Sequence, residues 1–249
     1  MKWISHRGES ADAPENTIEA YKLAMERDTD GMECDLHLTR DGKVVCSHDG
    51  NTGRMGNKDL VIKESTYEEL LTVDVGAKKA PEYTGAKIPL WSEVAPLIKQ
   101  GRAFFVELKS DAKGLLPGIR EAFANQPADC GEIAFISFTP ENIKVIRQEY
   151  PNLRGSLLLG CRVDENGNSS PTAEEVISQL KQCNATGVDI QGCREAIDAE
   201  YVQKVKDAGY EFHVWTIDLE ENARYFMSIG VDSITSNCAA RLKGILEAC

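Results

Sequence analysis

Short apolar runs of four to eight residues recur along the chain. Most intervals between them carry apolar residues at the three- and four-residue spacing of an amphipathic helix. The runs are WISH (3–6), GMECDLHL (31–38), KVVCSH (43–48), AFFVEL (103–108), EIAFISF (132–138), GSLLLG (155–160), GVDIQG (187–192), EFHVWTI (211–217) and VDSIT (231–235). Helices are predicted at 15–27, 90–100, 114–125, from Pro140 onward, 172–183, 198–208 and 220–229. Asn16 is expected to cap the first of them, with Glu19 three residues on completing a capping box. Strands alternating with helices of this length imply parallel pairing through right-handed crossovers. About eight such units make an α/β fold of the (β/α)8 TIM-barrel type.

Nine runs are one more than a barrel needs. Residues 31–38 and 43–48 are joined by TRDGK, whose Asp41-Gly42 is a strong hairpin signal. A turn centred between 41 and 42 sets residue 48 opposite residue 35, so His48 is expected beside Asp35, and one of the nine runs becomes a hairpin partner. Residues 50–89 follow neither period and are rich in glycine and polar residues around a short helix near 66–72. They read as an insertion above the C-terminal face of the barrel, following the strand that carries His48, where long loops act as lids or substrate walls. Residues 1–249 are expected to make one domain with 50–89 inserted in it.

Charge narrows the partners. The formal net charge is −12 and the pI about 4.9, which argues against nucleic acid and against anionic membrane surfaces. A small anionic substrate is compatible, given a metal or an arginine where it binds. No run is long and apolar enough to span a membrane, and no leader pattern opens the chain. A cytoplasmic protein is expected, or a periplasmic one if a signal peptide has been removed. The eight cysteines, Cys34, Cys46, Cys130, Cys161, Cys183, Cys193, Cys238 and Cys249, form no CxxC pair and read as buried small hydrophobes in a reducing compartment.

The chemistry concentrates at the ends of the apolar runs. Glu33 and Asp35, two apart on a strand, point to the same side. Side by side they repel unless a hard divalent cation, Mg²⁺ or Ca²⁺, neutralises them. Glu107, ending AFFVEL, supplies a third oxygen ligand. His6 and His48, two of four histidines, both follow strand runs and suit general acid–base work. Arg7 carries the planar fork that fits phosphate oxygens, and Lys109, on the side of Glu107, adds a point charge. His37 reads as a neighbour of this cluster and His213 as structural, while Glu15, in PENT, is open to two readings, a support of the site or a residue explained by its place in the helix-capping region.

HRG…PENT, ECDLHLTRDGKVVCSHD and VELK together resemble the glycerophosphodiester phosphodiesterase family, as do the later ISF (136–138), VWTID (214–218) and GVDSITSN (230–237). The resemblance covers essentially the whole chain. It implies a phosphatidylinositol-phospholipase-C-like barrel and metal-dependent cleavage of glycerophosphodiesters to an alcohol and sn-glycerol 3-phosphate. In that scheme Glu33, Asp35 and Glu107 hold the metal, His6 and His48 are the acid–base pair, and Arg7 and Lys109 bind the phosphate. Trp215 is an apolar wall of the substrate pocket. The family usually has Asn where this chain has Asp218, and a Thr-Asp with a following Pro where it has Thr235-Ser236-Asn237. Both differences are expected to bear on the alcohol-binding part of the pocket. An enzyme acting on intact lipid would expose apolar lid residues, whereas Met55, Leu60 and Tyr83 of the insertion are isolated in sequence. A catalytically silent barrel would lack a member of the set, and none is missing. A sugar-phosphate isomerase on the same fold would release no alcohol.

Overall fold

A computed structural model describes residues 1–99, 101–124, 132–165 and 169–247. In chain order its elements are β1 (Lys2–Ser5), α1 (Ile18–Glu26), β2 (Gly31–Leu38), β3 (Val44–Cys46), α2 (Tyr67–Leu70), α3 (Trp91–Val94), β4 (Ala103–Leu108) and α4 (Ala112–Ala124). They continue with β5 (Glu132–Ser137), α5 (Pro140–Glu149), β6 (Arg154–Leu159), β7 (Arg162–Val163), β8 (Ser169–Ser170), α6 (Ala173–Cys183) and β9 (Gly187–Gln191). The last are α7 (Ala199–Asp207), β10 (Glu211–Trp215), α8 (Glu220–Ser228), β11 (Ser233–Ser236) and α9 (Ala239–Glu247). Strands β1, β2, β4, β5, β6, β9, β10 and β11 pair in parallel in that circular order, and β1 closes the ring by pairing with both β11 and β2. This is a closed (β/α)8 barrel.

The ninth run is the antiparallel β3, paired to β2 outside the ring. Its register differs by one residue from the expected one: Leu36 faces Cys46, and Ser47 N–H donates to Asp35 O. The cause is the turn. Thr39 N–H donates to Lys43 O across a three-residue loop whose last member, Gly42, sits at φ +77°. A two-residue turn was expected, but the left-handed glycine closes a three-residue one. Three other expectations on the elements change. Thr17, not Asn16, caps α1, its Oγ1 accepting from Ala20 N–H. Helix α9 follows the last strand and buries Ala239, Leu242 and Leu246. The segment expected helical at 90–100 breaks after α3 into a 3₁₀ turn at Ala95–Leu97, where Pro96 cannot continue a helix.

Inward residues alternate along every strand. Ile4, Ala103, Phe105, Ala134, Ile136 and Leu158 fill the barrel, with Trp215 packed against them. Two larger apolar clusters fill the space between strands and helices. The 50–89 segment has its own small core of Ile62, Leu70, Val73, Val75, Ala86 and Ile88 on Val45. Met55 and Leu60, isolated in sequence, pack against it. The described cysteines are free and, except for the half-buried Cys193, buried; Cys130 and Cys249 lie outside the described residues. Among the described residues no helix is long and apolar enough to cross a membrane.

At the N-terminal end of the barrel, strand-opening residues interlock. Glu132 receives Lys2 and Arg154, and Arg154 also reaches Glu211 at 3.1 Å. Burial pushes the Glu211 carboxyl up, but His213 and Arg154 outweigh it and hold it down at about 2. A depressed carboxyl stabilises the fold above its unfolded value, about 4.3, and that contribution is lost as pH falls toward the folded value. Glu211→Gln is expected to cost about 1 kcal/mol at neutral pH, discounted for partial exposure. In urea unfolding series the difference from the parent should shrink to nothing on descending from about pH 4.3 to about pH 2.

Candidate active site

The C-terminal ends of four neighbouring segments converge. β2 brings Glu33 and Asp35, and the register sets Asp35 beside Glu107 of β4. All three are buried. One oxygen from each lies within 4.8 Å of the others. β1 leads into His6 and Arg7, and β3 into His48. The expected period-two pairing of the acids is therefore what the barrel builds.

A tight turn holds the first segment. Arg7 and Gly8 both have left-handed backbone, at φ 57° and 78°. Gly8 lies against the start of α1, where an added Cβ would stand 2.5 Å from Ala20 C, so only glycine fits. The turn aims the Arg7 N–H at Glu33 Oε2, 2.9 Å away. The Arg7 guanidinium donates to Glu15 at 3.0 Å and lies 3.3 Å from Asp35. Lys109 reaches Glu107 at 2.7 Å and Asp35 at 3.3 Å.

Burial divides the three carboxyls by their neighbours. Glu33 is pushed well above the usual carboxylate range by burial and by Asp35. Burial and Asp35 likewise push Glu107 up to about 8. Burial also acts against Asp35, but Lys109, Arg7, His48 and the Asn16 amide hold it down at about 2. Glu33 Oε1 and Asp35 Oδ1 are buried without a hydrogen bond. Two oxygens on opposite sides of a calcium ion, each at about 2.4 Å, stand about 4.8 Å apart. The donors, their spacing and these unbonded atoms thus fit one hard divalent cation.

The two imidazoles differ in surroundings. His6 Nδ1 meets Asn237 Oδ1 at 2.8 Å, while His48 Nδ1 meets the Asp49 carboxylate at 2.7 Å. Burial and the adjacent Arg7 push His6 down to about 4. Both rings line one cavity. Arg7, Glu33, Glu107 and Lys109 line it too, as do the apolar Ile136, Phe138, Leu158 and Trp215, with Asp189, Thr216 and Thr235 beside them. Trp215 meets Phe138 edge to face, with ring centroids 5.7 Å apart. Its Nε1–H donates to Asp189 O, so the indole is both satisfied and presented to the cavity.

Several residues here escaped sequence reasoning. Asn16, at φ 55°, is a support for Asp35 and not a cap. Its Nδ2 donates to Asp35 Oδ2 at 2.7 Å, and its Oδ1 accepts from Asp35 N–H and from Tyr21 Oη–H. Glu15 caps no helix; it receives Arg7 and, in two hydrogen bonds, Arg54 of the 50–89 segment. Arg54 also donates to Asp49 at 2.6 Å. The PENT stretch signals a turn, but nothing in it points to β2. His37 donates from Nε2 to His48 O, and His213 is buried on Ser233. Asn237 bonds both to Asp218 and to His6, and Thr235, in the second stretch that differs from the family pattern, lines the cavity together with Trp215.

The glycerophosphoryl diester phosphodiesterase family model matches residues 6–240. A glycerophosphodiester phosphodiesterase of Caldanaerobacter subterraneus subsp. tengcongensis is 31% identical over 239 residues, covering 94% of this chain and 93% of that protein. The structure of an Oleispira antarctica phosphodiesterase in complex with the product sn-glycerol-3-phosphate superposes with a TM-score of 0.88 at 25% identity, covering 99% of this chain and 97% of that one. A glycerophosphoryl diester phosphodiesterase structure from Silicibacter pomeroyi, at 22% identity, shares the fold with a TM-score of 0.81 over 98% and 92% of the two chains.

Asn16→Ala leaves Asp35 and Tyr21 with buried unpaired groups. It should lower unfolding free energy by about 2–4 kcal/mol, against about 1 kcal/mol for Tyr21→Phe, which removes one of the same hydrogen bonds. Urea denaturation of the two variants checks the ratio; equal costs would mean that Asn16 does not carry the network.

Proposed function

The chain belongs to the glycerophosphoryl diester phosphodiesterase family and is a phosphoric diester hydrolase, and on that footing we propose that it hydrolyses glycerophosphodiesters to an alcohol and sn-glycerol 3-phosphate. The observation that carries this reading is the cluster of three buried carboxylates within 4.8 Å, two of which, Glu33 and Glu107, line one cavity with two imidazoles and two cations. Glu33, Asp35 and Glu107 would hold a divalent ion, Mg²⁺ or Ca²⁺, by oxygen ligands. Such an ion neutralises charge on a nonbridging phosphate oxygen as it grows in the transition state.

The chain's own groups do the rest. Arg7 and Lys109, on the polar side of the cavity, orient the phosphate and share its charge. His6, kept neutral by burial and by Arg7, takes the proton of the attacking oxygen, which is that of water or of the glycerol 2-hydroxyl, the latter giving a cyclic phosphate that water then opens. His48, held against the Asp49 carboxylate at 2.7 Å, gives a proton to the departing alkoxide. Without that proton the alkoxide is a poor leaving group. Phe138 and Trp215 cover the apolar face of the bound glycerol or alcohol and exclude water from it. The Oleispira protein that binds sn-glycerol-3-phosphate supports this choice of product.

Turnover of glycerophosphoethanolamine and glycerophosphocholine should produce sn-glycerol 3-phosphate, stop with chelator and return with Mg²⁺ or Ca²⁺. His6→Ala and His48→Ala should each lower kcat by about 10² to 10⁴. Near-parental rates in both would remove the histidines from the mechanism. Glu33→Gln and Glu107→Gln should weaken divalent-ion binding in calorimetry, a readout independent of turnover. Unaltered affinity in both variants would put the ion elsewhere.

A further inference from the structure

Asn237 faces His6 with one end of its amide and Asp218 with the other. Its Nδ2 donates to Asp218 Oδ2 at 2.6 Å, and its backbone N–H donates to Asp218 Oδ1 at 2.9 Å. Ser236 Oγ–H also donates to Asp218 Oδ1 at 2.9 Å. On the other end, Asn237 Oδ1 accepts from Ser10 Oγ–H at 2.9 Å and lies 2.8 Å from His6 Nδ1. The backbone fixes the pair further: His6 N–H donates to Ser236 O and Ala11 N–H to Asn237 O.

The chemistry of these partners leaves one arrangement. A carboxylate accepts and cannot donate, so Asp218 binds the NH₂ end of the amide and turns the carbonyl oxygen toward His6. An amide oxygen also only accepts, so the imidazole nitrogen facing it must carry the hydrogen. We propose that Asp218 and Asn237 are positioning residues: Asp218 locks the Asn237 amide, and that amide holds His6 in the Nδ1–H tautomer with the Nε2 lone pair left for the cavity. With asparagine at 218, its oxygen would stay on the Asn237 N–H and Ser236 Oγ–H, its NH₂ would face the Asn237 side chain, and that amide would turn over and present NH₂ to His6, favouring the Nε2–H tautomer. The inference rests on the reading of His6 as a proton-transfer group, but the tautomer can be measured without turnover.

The test uses protein labelled with isotopic nitrogen in histidine, with the His6 signals identified by comparison with His6→Gln. Long-range proton–nitrogen correlation at neutral pH should give a protonated-type shift at Nδ1 and a lone-pair-type shift at Nε2. Asp218→Asn should shift His6 toward the Nε2–H tautomer and lower kcat about 10- to 100-fold, with KM changed less than about twofold because phosphate and alcohol contacts are untouched. The double variant Asp218→Asn with Asn237→Asp restores an acceptor at His6 and a donor behind it. It should recover the Nδ1–H tautomer and most of kcat, which a variant damaged only in folding would not do. A parent protein in the Nε2–H tautomer, or Asp218→Asn with both tautomer and kcat unchanged, would overturn the proposal. A tautomer change with unchanged kcat would instead overturn the role given to His6 and leave the positioning claim standing.

Discussion

Three carboxylates crowded into the mouth of a barrel set the terms for everything around them. Glu33, Asp35 and Glu107 are buried. Two full negative charges 4 Å apart repel by about 4 kcal/mol at an effective dielectric of 20. Water cannot relieve this, so the protein must. Arg7 and Lys109 stand against the acids, the Arg7 N–H is aimed at Glu33, and Asn16 brackets Asp35 from its amide and its carbonyl. Even so the relief is uneven. Asp35, which faces both cations, stays charged, while Glu33 and Glu107 are driven toward their protonated forms. An arrangement that strained is useful where a divalent cation supplies the missing positive charge.

The same cluster organises a second ring of contacts. Arg54 from the 50–89 segment grips Glu15 and Asp49, and these in turn contact Arg7 and His48. The segment is anchored by its own apolar core on Val45 of β3, so its charged tip reaches the site from a packed base. One imidazole ends on a carboxylate and the other on an amide oxygen. That difference gives two chemically identical side chains unlike partners within one cavity.

Away from the two cations, Ile136, Phe138, Leu158 and Trp215 give the cavity apolar lining, with the buried carboxyl of Asp189 among them. A phosphodiester has the same asymmetry, an anionic centre flanked by carbon. The two solved structures preserve this barrel over nearly their whole length at identities of 22 and 25%. Identity that low is compatible with a common fold because most core positions need only apolar volume and parity.

What the sequence determined by itself was whatever depends on local period. Alternation put Glu33 and Asp35 on one side of β2, the apolar runs located the barrel strands, and the charged residues at their ends marked the C-terminal face. These are readable because parallel strands in a barrel are buried on both sides and announce themselves as continuous apolar runs. The hairpin to β3 was legible in Asp41-Gly42, but its register was not, because glycine in the left-handed region serves two-residue and three-residue turns alike. Tertiary structure alone decided which polar residues meet across the ring. Asn16 looked like a helix cap and turned out to hold Asp35; Glu15 faced two arginines, one of them 39 residues away; Asn237 reached His6 across 231 residues. Asparagine and glutamate at turns have the same local signature whether they cap a helix or support a site. Only closure of the barrel, bringing β11 back against β1, chooses between those uses.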